Sequence, residues 1–213
     1  MAKITGISAA KRRSGWVEIE LDGASSVLLP RDRLFAHALR EGEEIAERRL
    51  EELREAAERA EAMRIALSYL SARPRSRQEV ARKLREKEVG GAVGETTLVR
   101  CEELGYLDDV AFAAAFARDR IRLRPCGVRR LQSDLRGKGV LEGDALAGIE
   151  QAMRDEKVTE PELLERVAER RARSLRAVDP EVANRRLFAF LTRRGFDATE
   201  VRRWIESEKG DSE

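Results

Sequence analysis

Apolar residues recur along this chain with two different periods, and the change of period divides it. Near the start the period is two. In WVEIEL, Val17, Ile19 and Leu21 alternate with Glu18 and Glu20; KITGI precedes this run, and SSVLL follows a turn at Asp22 and Gly23. The pattern predicts a three-stranded β-meander over residues 2–30, which cannot stand alone in water and needs a packing partner. The nearest apolar helix is RLFAHAL at 33–39, so residues 1–40 are expected to form one small module. Residues 41–62, EGEEIAERRLEELREAAERAEA, carry nine acids against four arginines and few large apolar side chains, which predicts an exposed helical connector.

From residue 63 onward every signal is helical, and one outline occurs three times. SRQEVARKLREKEV at 76–89 places Val80, Leu84, Lys87 and Val89 where GVRRLQSDLRGKGV at 127–140 places Leu131, Leu135, Lys138 and Val140, and where ANRRLFAFLTRRGF at 183–196 places Leu187, Leu191, Arg194 and Phe196. An apolar helical run precedes each copy (MRIALSYL, VAFAAAFA, PELLERVA), and another follows it (TLVRCEEL, DALAGIEQAM, TEVRRWIE). Three helices per unit follow. Helices this short gain their stability from stacking on neighbours, as in other repeat arrays. The expected fold is mainly α: an elongated array of three tandem three-helix, helix-turn-helix-like repeats at 63–107, 108–156 and 157–213, the last with an acidic tail. The β-meander and connecting helices precede them.

Local chemistry marks the helix ends. Asp108 is the N-cap of a helix that opens at Asp109, Asp179 and Pro180 form a cap and first-turn pair, and DATE at 197–200 has capping-box spacing. Gly139 and Gly195 each precede an apolar residue, so a left-handed glycine would bring Val140 onto Leu135 and Phe196 onto Leu191, as in a Schellman stop. The first copy has Glu88 there. A left-handed non-glycine costs about 1 kcal/mol, so that helix is expected to run one turn further, to Gly90 or Gly91.

Charge changes the picture next. Charged residues make up 38% of the 213-residue chain yet nearly cancel to +2, which excludes a polybasic tail and implies many solvated helix faces. Around the second copy the balance fails locally: Arg118, Arg120, Arg122, Arg124, Arg129 and Arg130 stand against the single acid Asp119. Arg136 lies with Arg129 opposite the Leu131/Leu135 stripe, Lys138 follows, Arg85 occupies the place of Arg136 in the first copy, and Arg186, Arg193 and Arg194 extend the set in the third. Repeated cationic positions suit a partner with repeated negative charge, either a nucleic-acid backbone or a polymeric protein assembled on one.

Reaction chemistry is missing from the pattern. His37 is the only histidine and sits in an apolar helix, Cys101 and Cys126 have no metal-ligand spacing, and capping accounts for Asp108 and Asp109. GGAVGETT at 90–97 has the glycines of a phosphate loop, but Glu95 stands where its lysine belongs, so it is expected to be a turn between helices. Trp16 and Trp204 read as packing residues. No catalytic residue, metal or cofactor is expected. No apolar run is long enough to span a membrane, and the N-terminus lacks a signal-peptide core, so a cytoplasmic protein is expected.

With the repeats placed, the sequence resembles the RecX family, bacterial modulators of the RecA recombinase. The resemblance rests on Ala66, Leu67, Tyr69, Leu70, Arg73, Arg75, Ser76, Glu79, Lys83 and Leu84; on Gly105, Tyr106, Leu107, Asp108, Asp109, Phe112 and Ala113; on Gly127, Arg130, Leu131, Leu135, Lys138 and Gly139; and on Leu191, Arg193, Arg194, Gly195 and Phe196. It covers about residues 63–205, and departs from the family pattern at Glu88 and at Pro125-Cys126. It implies a protein that lies in the groove of the RecA–DNA filament and restrains RecA ATPase, strand exchange and coprotease functions; a monomer without cofactor that binds single- or double-stranded DNA only weakly is expected. Under that reading Arg85, Arg118, Arg120, Arg122, Arg124, Arg129, Arg130, Arg136, Lys138, Arg186, Arg193 and Arg194 contact the filament. A DNA-binding regulator that uses one repeat as a helix-turn-helix module is the alternative.

Overall fold

The computed structural model describes residues 1–11 and 13–210, without the side chains of 209 and 210. It divides into two compact units, one of Met1–Arg73 with Val80–Tyr106 and the other of Pro74–Glu79 with Leu107–Glu213.

In the first unit, β1 (Ala2–Ala9), β2 (Trp16–Leu21) and β3 (Ser25–Pro30) form the expected antiparallel meander. The alternation in β2 works as its period requires: Val17, Ile19 and Leu21 are buried. Outside, Glu18 accepts a hydrogen bond from Ser26 Oγ at 2.8 Å. The hairpin turn places Asp22 and Gly23 at positive φ (52° and 69°), and Asp22 Oδ1 accepts from the Lys3 N–H at 2.8 Å. A two-residue strand β4 (Glu44–Ile45) adds to the far edge, giving the order β3-β2-β1-β4. It is too short for alternation to reveal.

Two expectations for this region are corrected. The apolar helix at 33–39 is α1 (Arg31–Ala36), which fully buries none of its residues; Phe35 is 73% exposed, Leu34 packs half-buried against the core, and Leu39 beyond the helix end enters it. Most of the cover over the sheet comes from the segment expected as an exposed connector. Helix α2 runs unbroken from Glu47 to Leu70, sends Leu50 and Leu53 into the sheet's core, and buries Ala62, Ile65 and Ala66 further along. Its acids mask this role because only two large apolar residues in its first turns do the packing.

The remaining helices are α3 (Arg77–Glu86), α4 (Gly91–Glu103), α5 (Asp109–Leu123), α6 (Val128–Arg136), α7 (Glu142–Glu156), α8 (Glu160–Arg173), α9 (Pro180–Arg193) and α10 (Ala198–Gly210). The three expected trios are the end of α2 with α3 and α4, then α5–α7, then α8–α10. GGAVGETT is not a turn: Gly91 opens α4, and the Thr96 and Thr97 hydroxyls donate to the Ala92 and Val93 carbonyls at 2.8 Å. Nor does α3 run on to Gly90. Glu88 itself takes the left-handed position at φ 63°, and Val89 N–H returns to the Leu84 carbonyl at 2.9 Å. The same closure ends α6, from Val140 to Leu135 at 3.1 Å, and α9, from Phe196 to Leu191 at 3.3 Å.

The expected caps form at Asp108, which accepts from Ala111 N–H, and at Asp179, which accepts from Glu181 and Val182 N–H. DATE gives half of its box: Asp197 caps Thr199 and Glu200 N–H, whereas the Glu200 carboxylate turns to Arg203 at 2.8 Å. Full boxes form elsewhere, by Thr159 with Glu162 and by the buried pair Ser76 with Glu79.

Within the second unit one kind of joint occurs twice, first where the segment Pro74–Glu79 meets the end of α6 and again where the start of α6 meets the end of α9. Ser76 Oγ donates to the Lys138 carbonyl at 2.6 Å, and one repeat later Gly127 N–H donates to the Arg194 carbonyl at 3.0 Å. A carboxylate from the next repeat's first helix completes each joint: Asp109 accepts from Arg77 N–H, and Glu160 from Val128 N–H, both at 2.8 Å. Close approach explains the glycines. A Cβ on Gly139 would strike the Gln78 side chain, one on Gly195 the Arg130 backbone, and one on Gly127 the Gly195 carbonyl. Glu88, at the corresponding place in the first copy, is exposed and tolerates its side chain.

Candidate anion-binding clefts

The second joint sets the geometry of the basic face. By seating the start of α6 against the end of α9, it brings Arg130 beside Arg194, and the end of α5 adds Arg120 and Arg124. Arg120, Arg124, Arg130, Arg193 and Arg194 line one cleft of about 220 Å³ with Cys126 and the single carboxylate Asp134. Asp134 is shared, 2.9 Å from Arg130 and 3.4 Å from Arg120. Arg194 is held by the Pro125 carbonyl at 2.9 Å and lies over the Phe190 ring, 5.0 Å from its centroid. Arg124 and Arg193 are exposed and have no ion-pair partner among the described residues. Burial pushes the Cys126 thiol above its ordinary 9.0, with Asp134 acting in the same direction and Arg120, Arg194 and Arg130 against it. At neutral pH it lines the cleft as a neutral thiol.

The other predicted positions separate from this group. Arg118 pairs with Asp155 at 2.6 Å and Arg122 with Glu156 at 2.7 Å, so both are engaged along the α5–α7 seam. The Glu156 carboxyl is held below its ordinary range, first by the Arg122 hydrogen bond. Arg129 reaches Asp197 at 2.6 Å, and Lys138 lies over Phe116 at 5.4 Å. Arg85, Arg136 and Arg186 are exposed and line neither basic cleft.

Sequence reasoning missed a second cleft that shares Arg124 and Arg194 with the first. About 340 Å³ in volume, it is lined by Arg166, Arg170 and Arg171 of α8, by Phe190 of α9 and by the apolar Leu123, Pro125 and Val167. The signal was present in ERVAERRAR, where Arg166 and Arg170 are four apart and fall on one helix face. Among the described residues no cluster of three or more His, Cys, Asp or Glu is placed to hold a metal, and no helix is long and apolar enough to cross a membrane.

Tandem three-helix domains define a class of modular helical-repeat proteins. Within that class the family is specific. The RecX first three-helix domain matches residues 62–101, the second 108–145 and the third 159–205. The chain belongs to the RecX family of regulatory proteins. A Regulatory protein RecX of Prosthecochloris aestuarii is 33% identical over 68% of this chain and 91% of its own length, and one of Streptomyces coelicolor is 34% identical over 72% and 82%. That of Levilactobacillus brevis is 36% identical over 67% of this chain, which spans about half (53%) of that relative's length. A crystal structure of regulatory protein RecX, 28% identical, superposes with a TM-score of 0.76 over 97% of this chain and all (100%) of the other. A second RecX structure, from Lactobacillus salivarius, shares the fold at TM-score 0.61, 22% identity and coverage of 71% of this chain and 96% of the other.

Proposed function

We propose that this chain is a non-catalytic modulator of RecA, mainly an inhibitor, which binds along the groove of the RecA–DNA filament and limits its ATPase, strand-exchange and coprotease activities. It acts as a cytoplasmic monomer and binds bare single- or double-stranded DNA weakly. The observation that carries the reading, beside the family, is the cleft where five arginines from two successive repeats face one carboxylate. Guanidinium forks match both carboxylate and phosphate, and several modest contacts on linked modules become strong only on a partner that presents successive sites. Arg124 and Arg193 lead the contact set because they are exposed and unpaired. Arg85, Arg136 and Arg186 extend it, and Arg129, Arg130 and Arg120 join by exchanging their internal partners. Arg118 and Arg122 contribute least, since Asp155 and Glu156 already occupy them.

The test is RecA ATP turnover on single-stranded DNA, with and without this protein. The wild type is expected to suppress turnover. Arg124→Glu with Arg193→Glu is expected to raise the concentration needed by about tenfold or more, a loss typical of reversing contacts in a charged interface. Suppression that survives the reversal removes the cleft from the interface. The helix-turn-helix alternative has less support in the second and third repeats, because their third helices, the ones such a module would send into the groove, open with acids: Glu142 and Asp144 in α7 and Glu200 in α10. Tight, sequence-dependent shift of naked duplex would favour it instead.

A further inference from the structure

The second cleft differs in kind from the first. Arg124, Arg166, Arg170, Arg171 and Arg194 all line it, its lining residues include no carboxylate, and none of the five is ion-paired among the described residues. Arg173, on the same helix, does find Glu169 at 3.8 Å, so the lack of pairing belongs to the cleft and not to α8 as a whole.

Two of the five guanidiniums are fixed in advance. Arg171 and Arg194 lie over the Phe190 ring at 5.2 and 5.0 Å from its centroid, and Pro125 anchors Arg194 from the side. Arg171 Nε is fully buried without an acceptor in the protein, although such donors are nearly always satisfied. A row of like charges at a cavity with no carboxylate in its lining is an arrangement suited to an anion, while Glu162, outside the lining, feels the Arg166 charge.

The density of charge selects the anion. A protein carboxylate brings one negative charge, and a phosphodiester strand spreads its charges one per nucleotide along an extended path. Five guanidiniums around about 340 Å³ match an anion whose charges sit on adjoining phosphorus atoms. Leu123, 78% exposed at the rim, and Val167 add an apolar wall suited to a nucleoside.

We propose that this cleft binds a condensed phosphate, either the di- or triphosphate group of a nucleotide or inorganic tripolyphosphate. The proposal stands independently of the RecA reading, since it needs neither filament nor DNA. Calorimetric titration of the full chain at fixed moderate salt tests it with four probes: tripolyphosphate, ATP, AMP and sulfate. Tripolyphosphate and ATP are expected to bind at one site, about tenfold or more tighter than AMP or sulfate. Arg166→Ala with Arg170→Ala, both exposed side chains, is expected to weaken that binding about tenfold at unchanged helical content, while Arg85→Ala leaves it intact. Arg171→Lys keeps the charge but removes the fork and is expected to lose most of the gain.

ATP binding more tightly than tripolyphosphate, with the difference abolished by Leu123→Asp, assigns the nucleotide; equal affinity assigns the inorganic chain. Tripolyphosphate no tighter than sulfate overturns the proposal, as does binding that ignores the Arg166/Arg170 substitutions.

Discussion

The arginines of the α5–α7 seam and those of the α8–α9 cleft carry the same side chain to opposite ends. Arg118 and Arg122 come from the most basic stretch of the sequence, yet Asp155 and Glu156 neutralise them. Arg166, Arg170 and Arg171 come from a helix whose acids equal its bases in number, yet none of them has an ion-pair partner among the described residues. Local charge density therefore does not measure free charge. What decides is whether the opposing helix presents a carboxylate, and α7 does where α9 presents Phe190.

The largest expected effect comes from breaking the joint that assembles both clefts. Gly195 is at φ 86° and its Cβ would meet the Arg130 backbone; Gly105 is at φ 72° with open space around it. Gly105→Ala is expected to cost about 1 kcal/mol, the strain of a left-handed residue alone. Gly195→Ala adds a backbone collision and is expected to cost about 3 kcal/mol or more, with both clefts losing their ligands together. Urea unfolding of the two variants checks the difference; equal losses would show that the joint opens without penalty.

Next in size is a functional split between the two arginine groups. Arg118→Glu with Arg122→Glu faces Asp155 and Glu156 with like charge, so it is expected to lower the melting temperature while leaving suppression of RecA turnover within about twofold, because these side chains were never free to bind. Arg124→Glu with Arg193→Glu should do the reverse, changing suppression without changing melting. If both pairs act alike in both assays, the distinction between engaged and free arginine has no functional meaning.

The elements were legible where local rules decide. Leu131 and Leu135 mark a buried stripe by spacing alone, and Gly139 and Gly195 mark stops because left-handed backbone suits glycine. The readings failed where a distant partner decides. Leu50 and Leu53 are too sparse to announce that they cover a sheet, and the glycines at 90, 91 and 94 suggest a turn although Gly94 is buried inside α4. Glu88 is left-handed because no neighbouring repeat crowds it and the Val89–Leu84 closure holds it. The candidate site was half legible for the same reason: the basic residues of α5, α6 and α9 could be named, but Arg118 meets Asp155 across 37 positions and Arg129 meets Asp197 across 68. No sequence window spans those pairs.

The smallest expected effect measures how firmly a carboxylate holds an engaged arginine. The Asp197 carboxyl lies below its ordinary 3.8, chiefly because Thr199 and Glu200 N–H donate to it, with the nearby Arg129 charge a lesser cause. Folding thus favours its ionised form. The stability it lends is complete above the ordinary value and is lost as pH falls through the lower folded value, where the folded carboxyl finally takes its proton. Asp197→Asn keeps a capping oxygen but abolishes this titration. The variant is expected to be slightly less stable than wild type at pH 7, with the difference closing as pH falls below the ordinary carboxylate range. Arg129→Ala should produce a smaller change of the same sign, because the backbone donors remain. Urea unfolding at a series of pH values reads both curves. An Arg129→Ala effect as large as that of Asp197→Asn would mean that the ion pair and not the helix cap holds the carboxyl, and would place Arg129 as firmly among the engaged arginines as Arg122.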